Sequence, residues 1–553
     1  MSGGDLSMRW TWRSLTTKHW PTIAAIVLVA VAIRVPLLTT VAFQADSADY
    51  LRGTRYGFGT LYFNRDSVDL RQFLSNVRAT GGRRVWDDLY RANDRSAIRH
   101  FHTPAAFYLN TLLPSDGARS HRAASMILGV LCCVAVYGLI AQCGSGREYA
   151  LAGALAVALY QKFTIPTTDI SPHPTFLLLA ILELWALVAW VQVPSRRRLL
   201  LAAIPLGLSI ATLELAPGLA IVAAFAVMFG RTPAPPIRER LNDAVVLAAA
   251  TGAVLFVAWP GGVLAGAYVI AYGVFALVGA YGAKSSLPGQ HNAITSDPIW
   301  ARLFATNWLL GLLCVIGFVA GALMLVSRSR RAAAIPFLYA VVSLGLGFGH
   351  RFKNPEYGAE AVVPLMAAAS IGFALLLHQL RDRTRTVAAV AVAAALVVAL
   401  GIETQISIDA AYEPRADVDS VLARLPQLVP TGSKLVTNAH WEAYNAYLPG
   451  YTFEPTDGRS VVIPRRAEYG ADAQYLLLDL TYLDAQVKEV LDHANVTVLA
   501  RRPDGSPRIV LTTKAAFDAA QTCNNPTSVG CDTDAREHGR SGQGGDPRHA
   551  TAA

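Results

Sequence analysis

Charge is the first thing this sequence is short of. Only 16% of its 553 residues are Asp, Glu, Lys or Arg, against roughly a quarter in soluble globular chains. The deficit excludes an ordinary water-soluble enzyme. Cysteine is scarce too, and its six copies form no framework. No Cys-x-x-Cys pair and no zinc-finger spacing occurs, which excludes the common dithiol and structural zinc motifs. Cys132, Cys133, Cys143 and Cys314 lie in or beside apolar runs, as small packing residues do. Cys523 and Cys531 fall in a polar tail, where they could close a small loop if that tail lies outside the cytoplasm. No nucleotide-binding signature is present, which argues against an ATP-driven pump and against a nucleotide-sugar donor. The N-terminus is basic at Arg9, Arg13 and Lys18, but the apolar run behind it is long and lacks a small-residue cleavage site, so a cleavable signal is not expected.

What the chain has instead is apolar length. Its residues are 53% hydrophobic and its mean hydropathy is +0.35. Several runs reach the roughly 17–25 residues that cross a bilayer. Runs near 21–38, 122–142, 147–165, 175–193, 199–213, 217–230, 244–258, 307–326, one ending at 348, 359–378 and 386–402 predict about eleven transmembrane helices. The stretch 263–281 is rich in Gly and Ala and is expected to be interfacial or re-entrant. Five short loops carry arginine clusters, at 147, 196–198, 231–240, 328–331 and 381–385. By the positive-inside rule all five fall with the basic N-terminus (1–20) in the cytoplasm, provided 263–281 does not cross. The net charge of +9 is then topology rather than a sign of a nucleic-acid partner.

With that orientation, the polar residues outside the short loops gather at the outer ends of the spans. The first outer loop, 41–113, opens with Asp46-Ser47-Ala48-Asp49-Tyr50 and closes with His102-Thr103-Pro104. Asp169 and His173 sit in the turn before the fourth span, Glu214 between two short runs, and His350, Arg351 and Lys353 before the tenth. Ionisable residues at such places are functional candidates. Glu183, inside the fourth span, is expected to be paired within the bundle. Past 402 the composition changes. Residues 411–514 alternate strand and helix patterns and predict a small extracytoplasmic α/β domain with a partly parallel sheet, on strands near 434–437, 475–480, 496–500 and 508–512 and helices near 416–425 and 483–494. The tail 515–553 is polar and expected to be disordered.

Order and spacing of the motifs resemble the GT-C superfamily of integral membrane glycosyltransferases, in the branch of protein O-mannosyltransferases and bacterial aminoarabinose transferases. Asp46-Ser47-Ala48-Asp49-Tyr50 resembles the family's Asp-Glu-x-x-Tyr element, and His102-Thr103-Pro104 with Phe107-Tyr108 its His-Pro-Pro-x-x-Tyr element. Arg122-x-x-Ser125-x-x-x-Gly129 resembles the start of its second span, and Thr167-Thr168-Asp169 holds the place of an acidic turn. Ser47 stands where the family has a second acid, and Thr103 where it has a proline.

The resemblance implies a sugar donor on a polyprenyl phosphate, an acceptor that is a glycan, lipid or protein, and an active site outside the cytoplasm. In that reading Asp46 is the base and Asp169 the second acid. Asp49, His102, His173 and Glu214 would bind substrate, and His350, Arg351 and Lys353 would clamp the donor phosphate. The resemblance fixes no cofactor; a divalent metal is chemically admissible, with Asp46, Asp169 and His102 as its candidate ligands. Two other classes compete. A transporter or flippase of lipid-linked sugars would place its charges near the bilayer midplane. A non-catalytic scaffold with an outer binding domain would tolerate loss of Asp46 and Asp169.

Overall fold

The computed structural model describes residues 19–40, 57–63, 69–80, 103–113, 118–168, 170–213, 215–264, 303–328, 331–349, 357–438, 450–455, 472–481, 485–502 and 504–523, with a few isolated positions between them. All eleven expected apolar segments are helical. In chain order the helices are α1 (Trp20–Arg34), α2 (Leu37–Thr40), α3 (Gly57–Tyr62), α4 (Leu70–Thr80), α5 (Ala118–Gln142), α6 (Arg147–Leu159), α7 (Gln161–Thr164), α8 (His173–Gln192), α9 (Arg196–Ile210), α10 (Ala216–Phe229), α11 (Ile237–Ala258), α12 (Pro260–Leu264), α13 (Trp308–Arg328), α14 (Arg331–Gly349), α15 (Tyr357–Leu377), α16 (Asp382–Leu428), α17 (Ala485–His493) and α18 (Lys514–Cys523). Among the described residues, six helices are long and apolar enough to cross a membrane: within α5, α8, α11, α13, α15 and α16. Helix is the expected state for such sequences, because in lipid every backbone donor and acceptor must be satisfied inside its own segment.

α5, α8 and α15 form the centre, while α11 and α16 are largely exposed on the periphery. Small residues set the central distances. A Cβ built on Gly372 of α15 would lie 1.8 Å from the Gly317 carbonyl oxygen of α13, and one on Gly317 would lie 2.6 Å from the Ala369 carbonyl oxygen. Helices without a large hydrophobic drive between them associate through such close backbone approach. The arginines of the short loops tie up helix ends. Arg198 donates to the Ala189 carbonyl, Arg240 to that of Met228, and Arg331 to those of Phe229 and Arg231. The Met228 and Phe229 carbonyls, in the last turn of α10, are among those that a helix C-terminus leaves unpaired.

α16 runs for 47 residues, about 70 Å at the usual rise per residue. The expected boundary between 402 and 411 therefore falls inside a continuous helix. The polarity change there marks where the helix leaves apolar surroundings, not where it stops. It delivers the chain to a five-stranded sheet of order β2-β1-β3-β5-β4, formed by β1 (Lys434–Thr437), β2 (Thr452–Pro455), β3 (Tyr475–Asp479), β4 (Thr497–Arg501) and β5 (Pro507–Thr513). β1 is parallel to β2 and β3, and β5 is antiparallel to β3 and β4.

The sheet has two apolar faces, set by alternation along its strands. Val436, Leu476, Leu478 and Val510 pack under α17 and α18. Leu435, Leu477, Ile509 and Leu511 face the other way, onto Val421 and Leu425 of α16 and onto Leu61, Ala106, Phe107 and Ile170 of the helical part. The disorder expected from 515 does not begin there: α18 occupies 514–523, with Phe517 and Ala520 in the sheet's outer core. The spacing of these two residues on one helix face outweighs the polar composition around them. Of 263–281, the described positions include Ala271, which packs with Trp259, Ala211 and the α4 residues Phe73 and Val77. Cys132, Cys133 and Cys314 are free and buried, as packing residues.

Gly372→Val is expected to destabilise the bundle severely, by at least the ~1–3 kcal/mol of ordinary overpacking, because the clash is with backbone. Gly252→Ala in α11, where nothing lies within 4 Å, should be neutral or slightly stabilising. Thermal unfolding of the two purified variants in one detergent checks this, and equal midpoints would refute the close-packing account.

Candidate functional site

The chain from Tyr160 to His173 breaks out of one helix and enters the next without leaving its carbonyls bare. α6 ends at Leu159, and α7 is a single turn followed by the 3-10 turn Pro166–Thr168. A hydroxyl serves most of the carbonyls freed by these breaks. Thr164 Oγ1 donates to the Ala158 carbonyl at 3.1 Å, Thr167 Oγ1 to that of Phe163 at 2.7 Å, Thr168 Oγ1 to that of Ile165 at 2.8 Å, and Ser171 Oγ to that of Pro166 at 3.2 Å. Ser and Thr side chains offer the backbone this alternative to a helical ladder.

Arg34, the last residue of α1, fixes the turn from behind. It is fully buried. Its Nε donates to Thr167 Oγ1 at 3.1 Å, and one Nη donates to the Ala158 and Ala30 carbonyls at 3.0 and 3.1 Å. The guanidinium lies 5.2 Å over the Phe163 ring. Its second Nη has no hydrogen-bond partner among the described residues. On the remaining side Gly129 of α5 admits the turn: a Cβ there would sit 2.6 Å from Thr167 Cβ. Arg122, earlier on α5, donates to the Leu38 carbonyl at 3.1 Å. The Arg-x-x-Ser-x-x-x-Gly motif thus holds α2, the short helix after α1, and seats the turn.

Three segments meet beside it. Ala105 N donates to the Ala211 carbonyl at 3.2 Å, and Thr175 Oγ1 to the Ala106 carbonyl at 3.4 Å. The stretches 103–107, 211–213 and 170–175 are joined in this way. Thr103, Leu213 and the pair Thr168 and Ile170 are the chain neighbours of His102, Glu214 and Asp169. Thr103, Thr168, Ile170 and Leu213 are all buried. Tyr62 and Tyr108 of the first loop donate to the Val257 and Ala258 carbonyls at the end of α11, at 2.7 and 2.8 Å. Burial, and then the neighbouring Tyr62, push the Tyr108 phenol upward from its ordinary value, so it stays a neutral donor. Asn110 Nδ2 lies 3.0 Å from His121 Nδ1, which binds the same loop to the start of α5.

His173 is the member of the predicted set that the structure describes. It is the first residue of α8, buried, with Nδ1 2.5 Å from Glu360 Oε1. Glu360 lies in the first turn of α15 and is also buried. The pair joins the N-terminal ends of two central helices, where a carboxylate is favoured by the helix dipole. Oε2 of Glu360 has no hydrogen-bond partner among the described residues. Glu360 is the residue that sequence reasoning missed. An acid inside an apolar run was the available signal. Asp46, Asp49, His102, Asp169, Glu214, His350, Arg351 and Lys353 lie outside the described residues. Glu183 corrects an expectation: it is fully buried in α8, and neither carboxyl oxygen has a hydrogen-bond partner among the described residues. Among the described residues no group of three His, Cys, Asp or Glu side chains is placed to hold a metal.

Neither a protein-family model nor a curated protein sequence matches the chain. Solved structures do. ArnT from Cupriavidus metallidurans bound to undecaprenyl phosphate superposes with a TM-score of 0.51 at 12% identity, over 91% of this chain and 99% of that one. The archaeal oligosaccharyltransferase AglB from Archaeoglobus fulgidus, in complex with an inhibitory peptide and a dolichol-phosphate, gives 0.50 at 13% identity, over 91% of this chain and 74% of that one. Both are GT-C glycosyltransferases. At this identity the likeness is one of fold, and the fold is that of a polytopic membrane protein.

Arg34→Ala is expected to cost about 3 kcal/mol, the scale for removing a buried, charge-bearing hydrogen-bond partner. Arg34→Lys should recover little, because an ammonium cannot span Thr167 and Ala158 as the planar fork does. Ile170→Ala should cost about 2–5 kcal/mol through the cavity it leaves under the sheet. Unfolding midpoints of the three variants measure these effects, and a wild-type midpoint for Arg34→Ala would rule out the tether.

Proposed function

We propose that this chain is a glycosyltransferase that moves a sugar from a polyprenyl-phosphate donor to an acceptor on the outer, periplasmic face of the plasma membrane. The observation that carries the reading is the meeting of stretches 103–107, 170–175 and 211–213, the chain neighbours of His102, Asp169 and Glu214, beside the His173–Glu360 pair in a chain of GT-C fold. The lipid phosphates bound to the two structural neighbours support the donor class.

In this reading the acceptor oxygen attacks the anomeric carbon as the bond to the lipid phosphate breaks. Asp46 receives or orients the acceptor proton. Asp169 is the second acid, and Asp49, His102 and Glu214 contact the acceptor. His350, Arg351 and Lys353, a few residues before α15, offset the charge left on the departing phosphate. Glu360 orients His173 through Nδ1, the usual part of a carboxylate beside an imidazole. The arginine-capped loops face the cytoplasm and the sheet lies outside. Its inner face rests on Phe107 and Ile170, so the α/β unit closes over the site or presents the acceptor to it.

One observation favours a second reading. Glu183 is a buried acid without a hydrogen-bond partner among the described residues, about three turns along α8 from His173, and ionisable groups inside spans mark transport pathways. A transporter of lipid-linked sugars would need Glu183; a transferase would not.

The deciding experiment is sugar transfer from a panel of polyprenyl-monophosphate sugars by the full chain in lipid. Wild type should consume one donor. Asp46→Asn and Asp169→Asn should lower turnover by about 100-fold or more with the fold intact, the scale of general-base loss. Glu360→Gln should lower it less, and Glu183→Gln should leave it unchanged. An Asp46→Asn protein as active as wild type would remove Asp46 from the base role. Donor translocation without transfer, lost in Glu183→Gln, would establish the transporter instead.

A further inference from the structure

α16 is fastened to the bundle only along part of its length. Midway along it Ala399, Glu403 and Ser407 are buried. Asn307 Nδ2 donates to the Ala399 carbonyl at 2.8 Å, and Glu403 Oε2 accepts from Gln161 N at 3.0 Å. Toward Asp382 the helix stands clear, with Val387, Val390, Val397 and Val398 exposed. Behind this freestanding part lies a narrow cleft of about 70 Å³, open along one side, between α6, α13, α15 and α16. Ala152, Leu313, Phe373, Val392 and Leu396 line it. The hydroxyl of Ser370, also in the wall, donates to the Met366 carbonyl at 2.9 Å. Water has almost no partners in such a space; a hydrocarbon chain suits it.

The rim at the Asp382 end is basic. Arg385 is about two helical turns before Val392 and lies against the Tyr149 hydroxyl, which also lines the groove. The Tyr149 and His378 rings meet edge to face at 6.2 Å. Arg381 and Arg383 are exposed beside them, and Arg147, bonded to Thr22, is exposed at the start of α6. Two acids, Glu148 and Asp382, share this rim, which leaves arginine in excess. An apolar slot that ends in an arginine cluster has the complementarity of an anionic phospholipid: acyl chain inside, phosphate on the guanidinium groups.

We infer that the α6–α13–α15–α16 groove binds one acyl chain of an anionic phospholipid drawn from the leaflet on the arginine side, with the phosphate held by Arg381, Arg383 and Arg385. The site stands apart from the His173–Glu360 pair and does not depend on the transferase reading.

Native mass spectrometry of the delipidated full chain, with added phosphatidylglycerol or phosphatidylcholine, tests this. Wild type should retain one phosphatidylglycerol with about tenfold preference over phosphatidylcholine. The exposed-rim variant Arg381→Ala/Arg383→Ala/Arg385→Ala should lose the preference. Ala152→Phe and Val392→Phe, which fill the slot from opposite walls, should each lose retention at least tenfold while eluting as folded protein. Equal retention of the two phospholipids by wild type overturns the headgroup assignment. Retention unaffected by both filling variants overturns the groove. Displacement of phosphatidylglycerol by equimolar undecaprenyl phosphate, itself blocked by Ala152→Phe, would give the groove to a polyprenyl chain and overturn the phospholipid.

Discussion

A guanidinium buried at the end of the first apolar helix is the constraint from which the rest follows. Placing Arg34 out of water is costly unless its donors are met. The structure meets Nε and one Nη with the Thr167 hydroxyl and the Ala158 carbonyl, both on the stretch where α6 gives way to α8, and leaves the second Nη without a partner among the described residues. That stretch can supply them only because it is not a regular helix. Its break frees a carbonyl for the arginine and turns a threonine toward it. The irregular turn and the buried charge therefore require one another. Gly129 adds the steric condition, since any side chain there would push Thr167 out of reach.

The same turn is held from the opposite side by a different kind of interaction. Ile170 belongs to an apolar cluster that includes the inner face of the sheet and the last turns of α16. α16 in turn is pinned back to the break by Glu403, which accepts from Gln161 N. So the turn lies between a polar anchor inside the bundle and an apolar one on the sheet. Removing one anchor leaves the other, but neither alone fixes both position and tilt. A site that depends on positioning groups to within fractions of an ångström is served by that double support.

How much of this was legible in the sequence depended on which physical signal each part leaves. The apolar runs were legible because lipid imposes helix on them whatever their order. Strands β1, β3, β4 and β5 were legible as short apolar runs, continuous because both faces of the sheet are covered. β2 was not, since Thr452–Pro455 has one strongly apolar residue, a proline at its end, and an edge position that asks little of its sequence. The unbroken length of α16 was hidden because a polarity change looks the same whether a helix ends or only leaves the membrane. α18 was hidden by tail composition, although Phe517 and Ala520 carry the helical spacing. The pairing of His173 with Glu360 joins residues 187 apart in sequence, and nothing local encodes it. Arg34 is the instructive case. An arginine at the end of an apolar run usually reaches for water, yet the fold turns this one inward.

The bundle is uneven, and the unevenness follows from where backbone touches backbone. α13 and α15 meet through Gly317 and Gly372 with no side chain between them, so relative sliding there would cost contacts at once. α16 has no such contact along its first turns; it is held by Asn307 and Glu403 at one level and by its union with the sheet above. A helix fixed at one end and free at the other leaves space beside it. In a membrane that space is filled by hydrocarbon, because no polar group lines enough of it to hold water. The fold thus assigns rigidity to the helices that carry His173 and Glu360, and leaves adaptability to the helix that meets the lipid.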